Sequence, residues 1–389
     1  MKKFTFILLS ILTIGCANEV DIDGYWQGHF TFPKERVPAL IKFENGKFID
    51  FFGVYNDTVE YKRNDDKILF GNATTRSGVF KIKVNKNELT TFKNETDSIF
   101  VSLKKKQAER FIFDYLNDKN LKLELPDGHG IKRNIGPKYF RNPLYLSYID
   151  SNLVANFLDT TVHVNSKYHI LLRKLSDYSN HYENSLHINK VTLIIDKNLK
   201  MSDVNLISNQ LRLAGYLKVY YYLKSDSYEK INFLSTKLRP ISEIDYHKYN
   251  SEENQLSPPP PSFLLDYFKG EILRLYIDKN KVTLNDTIIN INKLNEFMKL
   301  KLLPNKELGV FYQISESSTY QDFIRFNDVI YNAYYDIRNV YLLQKYNISY
   351  RDNFDYDKDE IIESKKTFPM FLKQIDSIEY EKVKKFQKL

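Results

Sequence analysis

The sequence is poor in the residues that most often carry chemistry. It holds a single cysteine, Cys16, so it can form neither an internal disulfide nor a thiolate-rich metal site. Histidines are few, at seven in 389 residues. His163 and His169 sit in strand-like apolar stretches and His181 and His187 in a polar connection, with no pair at metal-ligand spacing beside a carboxylate. There is no Gly-x-Ser-x-Gly elbow and no phosphate-binding loop, which leaves acyl-transfer and nucleotide chemistry without their usual scaffolds. Asp355, Asp357 and Asp359 have the alternate spacing of a calcium loop. Glu360, however, stands where the sharp turn needs glycine, and Lys366 where the bidentate acid belongs. Asp127-Gly128-His129-Gly130 lies among chain breakers and reads as a turn rather than as a cradle for an anion or a base. A basic stripe is missing too: the net charge of +8 is spread over 57 basic and 49 acidic residues, which argues against a nucleic-acid partner.

Long apolar runs are also missing, and the short one that is present is informative. Met1-Lys2-Lys3 is a basic start and Phe4 to Ile14 an apolar stretch of eleven residues, about half of what a bilayer requires. Thr13-Ile14-Gly15-Cys16 then ends the run like a lipobox, with Thr13 where leucine is more usual. This architecture predicts a signal segment over residues 1–16 and a mature chain that starts at a lipidated Cys16. The expected location is export with a lipid anchor in the outer membrane; a secreted protein with an unpaired thiol is the alternative.

Residues 17–23 form a polar tether. From Gly24 to Lys104 eight strand candidates follow one another: Tyr25–Phe32, Ala39–Phe43, Phe48–Phe52, Thr58–Tyr61, Ile68–Gly71, Val79–Val84, Leu89–Phe92 and Ile99–Leu103. Turn signals such as Asn45-Gly46 separate them, so residues 24–106 are expected to form a small antiparallel barrel or meander. The opening Gly24-Tyr25-Trp26 resembles the start of a lipocalin-like domain, and that resemblance implies a Trp26 that plugs the barrel floor. Residues 107–150 read as a helix, Gln107–Asn117, and an irregular connector rich in Gly and Pro.

Val191 to Leu223 alternates cleanly between periods. Val191–Ile195 is a β-branched strand and Asp196-Lys197-Asn198 a polar break. Ser202 is placed to cap a helix whose face is Val204, Ile207, Leu211 and Ala214, Gly215 to end it, and Lys218–Leu223 to form a second strand. The pattern recurs 119 residues later as Val310–Ile314, then Phe323, Phe326, Ile330 and Ala333, with Val340–Leu343 as the second strand and Tyr334 in place of the glycine. Each copy is preceded by a strand pair, Thr161–Val164 with Tyr168–Leu172 and Ile272–Ile277 with Lys281–Leu284, and in the second copy by a helix over Asn292–Leu302. The expected modules span 151–230 and 263–350, separated by a linker over 231–262 that contains Ser257-Pro258-Pro259-Pro260-Pro261-Ser262, and followed by a tail over 351–389.

The run VTLIIDKN…LRLAGYLKVYYYL resembles the periplasmic domain of the ExbD/TolR biopolymer-transport family, and the second copy follows the same pattern. The fold class expected is therefore α+β: an N-terminal antiparallel β barrel or meander, lipocalin-like, followed by two βαβ-containing ExbD/TolR-like modules. The resemblance implies a soluble domain that binds peptidoglycan or an extended partner peptide and dimerises. The family's proton-coupling membrane aspartate has no counterpart after the signal. The expected protein is a non-enzymatic envelope lipoprotein without cofactor or metal, held at the membrane through Cys16. Its expected partner surface is the strand Lys218–Leu223, where Lys218, Tyr220, Tyr221 and Tyr222 would line a sheet edge. The alternatives are a lipocalin-like carrier of an apolar small molecule and a hydrolase of envelope polymers.

Overall fold

A computed structural model of the chain describes residues 21–32, 35–50, 59–64, 67–70, 78–85, 87–94, 97–106, 121, 123–134, 142–157, 160–165, 167–173, 189–225, 230–238, 270–279, 281–303, 308–353 and 358–386. The fold is mixed α+β and divides into two compact units.

The first unit contains β1 (Gly24–Phe32), β2 (Glu35–Glu44), β3 (Lys47–Asp50), β4 (Val59–Asn64), β5 (Lys67–Phe70), β6 (Gly78–Asn85), β7 (Glu88–Asn94) and β8 (Asp97–Lys106). These are the eight strands expected from the sequence. Each pairs antiparallel with the next, and β1 pairs with β8 to close the ring. Asn45 and Gly46 both have positive φ, the primed turn whose twist matches the flanking strands. Alternation sends Trp26, Ile41, Phe43, Phe48, Ile68, Leu89 and Leu103 into one apolar cluster. Trp26 is fully buried, and its indole N–H donates to the Ile22 carbonyl at 2.7 Å, so its one polar group is satisfied.

The second unit holds two sheets. The larger has β12 (Thr160–His163), β11 (Asn152–Phe157), β10 (Pro143–Ile149), β13 (Asn189–Ile195), β14 (Tyr216–Leu223), β15 (Lys230–Lys237) and β9 (Ile131–Asn134) in that spatial order. The smaller has β18 (Thr287–Ile289), β17 (Lys281–Leu284), β16 (Glu271–Asp278), β19 (Leu308–Ile314) and β20 (Phe371–Gln374). The unit's longer helices among the described residues are α1 (Met201–Leu213), α2 (Ile291–Leu302), α3 (Tyr320–Tyr346), α4 (Asp359–Thr367) and α5 (Ser377–Phe386).

Five strands of the larger sheet match all five of the smaller one in order and sense. β10 and β16 each form a hairpin with the following strand and pair parallel with β13 and β19, which in turn pair parallel with β14 and β20. The duplication inferred from the 119-residue repeat is present in this connectivity, with a different segment as the last strand. Val340–Leu343 is not a strand but part of α3. In α1, Gly215 follows the last turn with φ +84°, a conformation that costs other residues, and the chain turns back into β14. Tyr334 cannot serve that role. The second helix, started by a full Thr319/Asp322 capping box, therefore runs 27 residues until Asn347 adopts the left-handed conformation. The strand is supplied instead by Phe371–Gln374, from what the sequence suggested was a tail.

Other boundaries move for equally local reasons. Tyr168–Leu172 is helical rather than extended, and Tyr168, His169 and Leu172 are buried at helical spacing. The presumed irregular connector contributes β9 and β10, the latter starting at Pro143, where a strand tolerates a missing donor. β15 lies in the presumed linker. Cys16, Gln107–Asn117, the prolines at 258–261, His181, His187, Asp355 and Asp357 lie outside the described residues, and Asp359 opens α4.

Candidate functional site at the carboxyl ends of the parallel strands

β14 is not a sheet edge. It carries a parallel ladder with β13 on one side and an antiparallel ladder with β15 on the other, from Lys218↔Lys237 to Leu223↔Asn232. Tyr220, Tyr221 and Tyr222 are 2%, 6% and 1% exposed, and Lys218 lies over the Tyr220 ring. Of the expected partner surface at Lys218, Tyr220, Tyr221 and Tyr222, the three tyrosines are therefore core and Lys218 is half-buried. The reason is that β15, read as linker, pairs along β14 and occupies the edge. Tyr221 packs edge-on to Phe323 at 5.2 Å and against Tyr320, both on α3. The aromatic strand thus joins the first module to the helix of the second.

That junction is self-complementary. Lys200 and Thr319, each the residue before its helix, pair as an antiparallel bridge. The amide of Met201 donates to the Ser318 carbonyl at 2.8 Å and the amide of Tyr320 to the Leu199 carbonyl at 2.7 Å. Ser202 donates to Glu316 and Gln321 to Lys197 in the same reciprocal manner, at 3.3 and 3.0 Å. Every residue in these pairs lies 119 positions from its equivalent. Ser202, expected as the cap of α1, is thus not the cap: Lys200 holds that position without a side-chain bond, and the second module's loop carbonyls satisfy the first amides.

In open α/β sheets ligands bind outside the carboxyl ends of parallel strands. Here that region, beyond Ile195 of β13 and Leu223 of β14, is crossed by residues 123–130, an irregular segment that precedes β9. The segment is held by its main chain. The Glu124 amide donates to the Asp196 carboxylate at 2.8 Å and its carbonyl accepts from the Lys197 amide at 2.7 Å; the Pro126 carbonyl accepts from the Lys224 amide at 2.9 Å. The Gln321 side chain grips Asp127 at both polar atoms, accepting from its amide at 2.8 Å and donating to its carbonyl at 3.0 Å. The Asn232 amide group donates to the Gly128 carbonyl at 2.9 Å. Asp328 Oδ2 accepts from the His129 amide at 2.9 Å and lies 3.0 Å from its Nδ1.

The charged side chains of this segment point outward. Glu124 and Asp127 are exposed, Glu124 paired with Lys197 at 2.5 Å and Asp127 loosely with Lys224 at 3.7 Å. The hydrogen bond from Lys197 holds the Glu124 carboxyl below its usual range. The His129 ring is 89% exposed over an Asp328 side chain that is only 8% exposed. An imidazole so held keeps Nδ1 on the carboxylate and presents Nε2 to solvent, the orientation of a positioned base. None of the contacts described around it brings a hydroxyl nucleophile, and no group of three metal-ligating side chains gathers among the described residues. The pair ties the segment to α3 through the His129 amide and ring.

The sequence flagged Asp127–Gly130 but none of the residues that grip it. Asp328 and Gln321 on α3 and Asn232 on β15 are the missed positions. The available signal was Asn327-Asp328, two polar residues set into the apolar stripe Phe323, Phe326, Ile330 and Ala333. His169, by contrast, is a satisfied core histidine whose amide and Nδ1 both meet Gln210 Oε1, at 2.9 and 2.8 Å. No described helix is long and apolar enough to cross a membrane. No family model matches this chain, and no curated protein matches its sequence.

Proposed function

We propose that this chain is a non-enzymatic envelope lipoprotein, anchored through Cys16, whose two ExbD/TolR-like modules form an intrachain pair that binds an extended segment of a partner protein. The observation that carries this reading is the gripping of residues 123–130. Side chains from two modules hold an irregular peptide by its backbone while its own charged groups face solvent. That is how a protein binds a peptide with modest demands on sequence. The shared strand order of the two modules and their reciprocal junction support the paired arrangement. A single-module protein with this surface would need a second copy to satisfy its helix amides, whereas here the chain supplies both halves.

The lipocalin-like barrel serves in this reading as a scaffold rather than a carrier. Among the described residues Trp26, Phe43, Phe48 and the surrounding aliphatic ones pack into one apolar cluster, which supports a scaffold role.

Two measurements test the proposal. Purified full-length chain, applied to an array of extended peptides tiled from envelope proteins, should bind a subset saturably and should itself stay in the supernatant when peptidoglycan sacculi are pelleted; binding to sacculi alone would replace the peptide reading. Radiolabelled palmitate should enter the wild type and not Cys16→Ser, and equal labelling of the two would remove the lipid anchor from the proposal.

A further inference from the structure

The segment at 123–130 is an addition to its module rather than part of it. The duplicated core is the five-strand order shared by both sheets, and among the described residues β15, β9 and the segment leading into β9 have no counterpart beside the smaller sheet. The segment ends at residue 130, before β10 at Pro143 opens the repeated core. The segment is thus an excursion laid onto a module that begins only afterwards.

Its fit is governed by two glycines. A Cβ on Gly130 would stand 2.5 Å from the Phe233 carbonyl oxygen, and one on Gly128 would stand 2.9 Å from Leu223 Cδ1 and 3.3 Å from Ile324 Cγ2. The first of these is a backbone clash that no side-chain rotation relieves. Between the glycines sits His129, whose exposed ring reaches a buried carboxylate, Asp328. The groove also holds more hydrogen-bonding capacity than the segment uses: Asp328 Oδ1 and Asn232 Oδ1 are buried and have no partner. Buried acceptors of this kind are ordinarily paired.

We infer that the groove between β14, β15 and α3 is a recognition site for an extended peptide of the pattern Gly-x-Gly, with a proton-donating or cationic residue at x, and that residues 123–130 are its occupant in cis. This rests on the peptide-binding reading above and narrows it to one groove and one ligand chemistry. A partner carrying the motif competes with the chain's own segment. Because the segment is covalently attached, it competes at an effective concentration on the order of millimolar, so a free peptide reaches the groove readily only when the segment is loosened.

The test uses a fluorescent peptide of residues 121–134 added to the full chain. Gly130→Val in the chain expels its own segment and leaves the groove's side chains in place, so the peptide should bind this variant at least about tenfold more tightly than the wild type. The same peptide carrying Gly130→Val should bind neither. Equal affinity for the two proteins, or equal affinity of the two peptides, overturns the inference. Circular dichroism establishes that the variant is folded, and a second measurement needs no variant. In an isotope-labelled wild-type chain, unlabelled peptide added well above that millimolar effective concentration should speed amide exchange at residues 123–130 while β13 and β14 stay protected, and unchanged exchange there overturns the inference. Should other envelope peptides bind while this one fails in both formats, the groove assignment falls and the broader function stands.

Discussion

Lys200 and Thr319 face each other as a single antiparallel bridge, although 119 residues separate them and each occupies the same place in its own module. Around them the first amides of α1 and α3 donate across the junction, Met201 to Ser318 and Tyr320 to Leu199. An isologous contact of this kind joins two copies of one surface, as in a two-fold dimer, but here both copies belong to one chain.

This arrangement reverses an ordinary rule. Proline at the first position of a helix is normally harmless because its missing N–H has no partner within the helix. Lys200, with φ −71° and ψ 147°, is also already in the conformation that a following proline requires. Met201→Pro is nevertheless expected to destabilise the second unit by about 1–3 kcal/mol, because the lost N–H serves the buried Ser318. Urea unfolding followed by circular dichroism gives the number; a variant as stable as the wild type means that the junction bond carries no weight.

The clasp on the 123–130 segment should be asymmetric in its two partners. His129→Ala removes one contact of an exposed ring and leaves the main-chain bond to Asp328, so it should cost no more than about 1 kcal/mol. Asp328→Ala removes the acceptor of both bonds and should raise amide exchange at residue 129 by about tenfold or more, in line with a loss of about 1–3 kcal/mol for a buried, charge-assisted contact. The idea fails if the two variants protect that amide equally.

Trp26 is the only tryptophan and lies wholly within the first unit, so its fluorescence reports on the barrel alone. Emission should be blue-shifted in the native state. Its denaturant transition should separate from the far-ultraviolet signal, which the helices of the second unit dominate. Trp26→Ala is expected to cost about 3–5 kcal/mol and to abolish the barrel transition while sparing the other. Coincident transitions in the wild type would show instead that the two units unfold as one.

Glu363 gives the clearest expected pH signature. Hydrogen bonds from Lys345, Tyr341 and Tyr346 lower its carboxyl to about 2. A group depressed in the folded state adds stability that is present above the ordinary carboxylate range and fades as pH falls toward that lowered value. The stability gap between wild type and Glu363→Gln should therefore be constant near neutrality and close in strong acid. A gap that widens on acidification would contradict the assignment, and a carboxyl titration of Glu363 by NMR checks it directly.

What was legible in the sequence is what nearest neighbours determine. Period-two alternation and polar breaks such as Asn45-Gly46 mark all eight barrel strands. The apolar stripe Val204, Ile207, Leu211 with Gly215 gave α1 and its end, and the internal repeat gave the duplicated strand–helix unit. Local rules also explain the main error, since the absence of a glycine at Tyr334 was visible and should have let the second helix run on.

What the tertiary structure alone decided are the pairings between distant segments. Nothing near Lys218–Leu223 shows that β15 will cover it, because an aromatic, β-branched strand reads the same at an edge and in the middle of a sheet. Nothing near Ser202 shows that its helix borrows acceptors from a loop more than a hundred residues away, and nothing near Phe371 marks it as the partner of β19. A sequence sets which backbone groups remain unsatisfied by their own element. The closing of the whole chain determines which remote segment satisfies them, and at Asp328 that is a glycine-flanked histidine from an excursion that precedes its module.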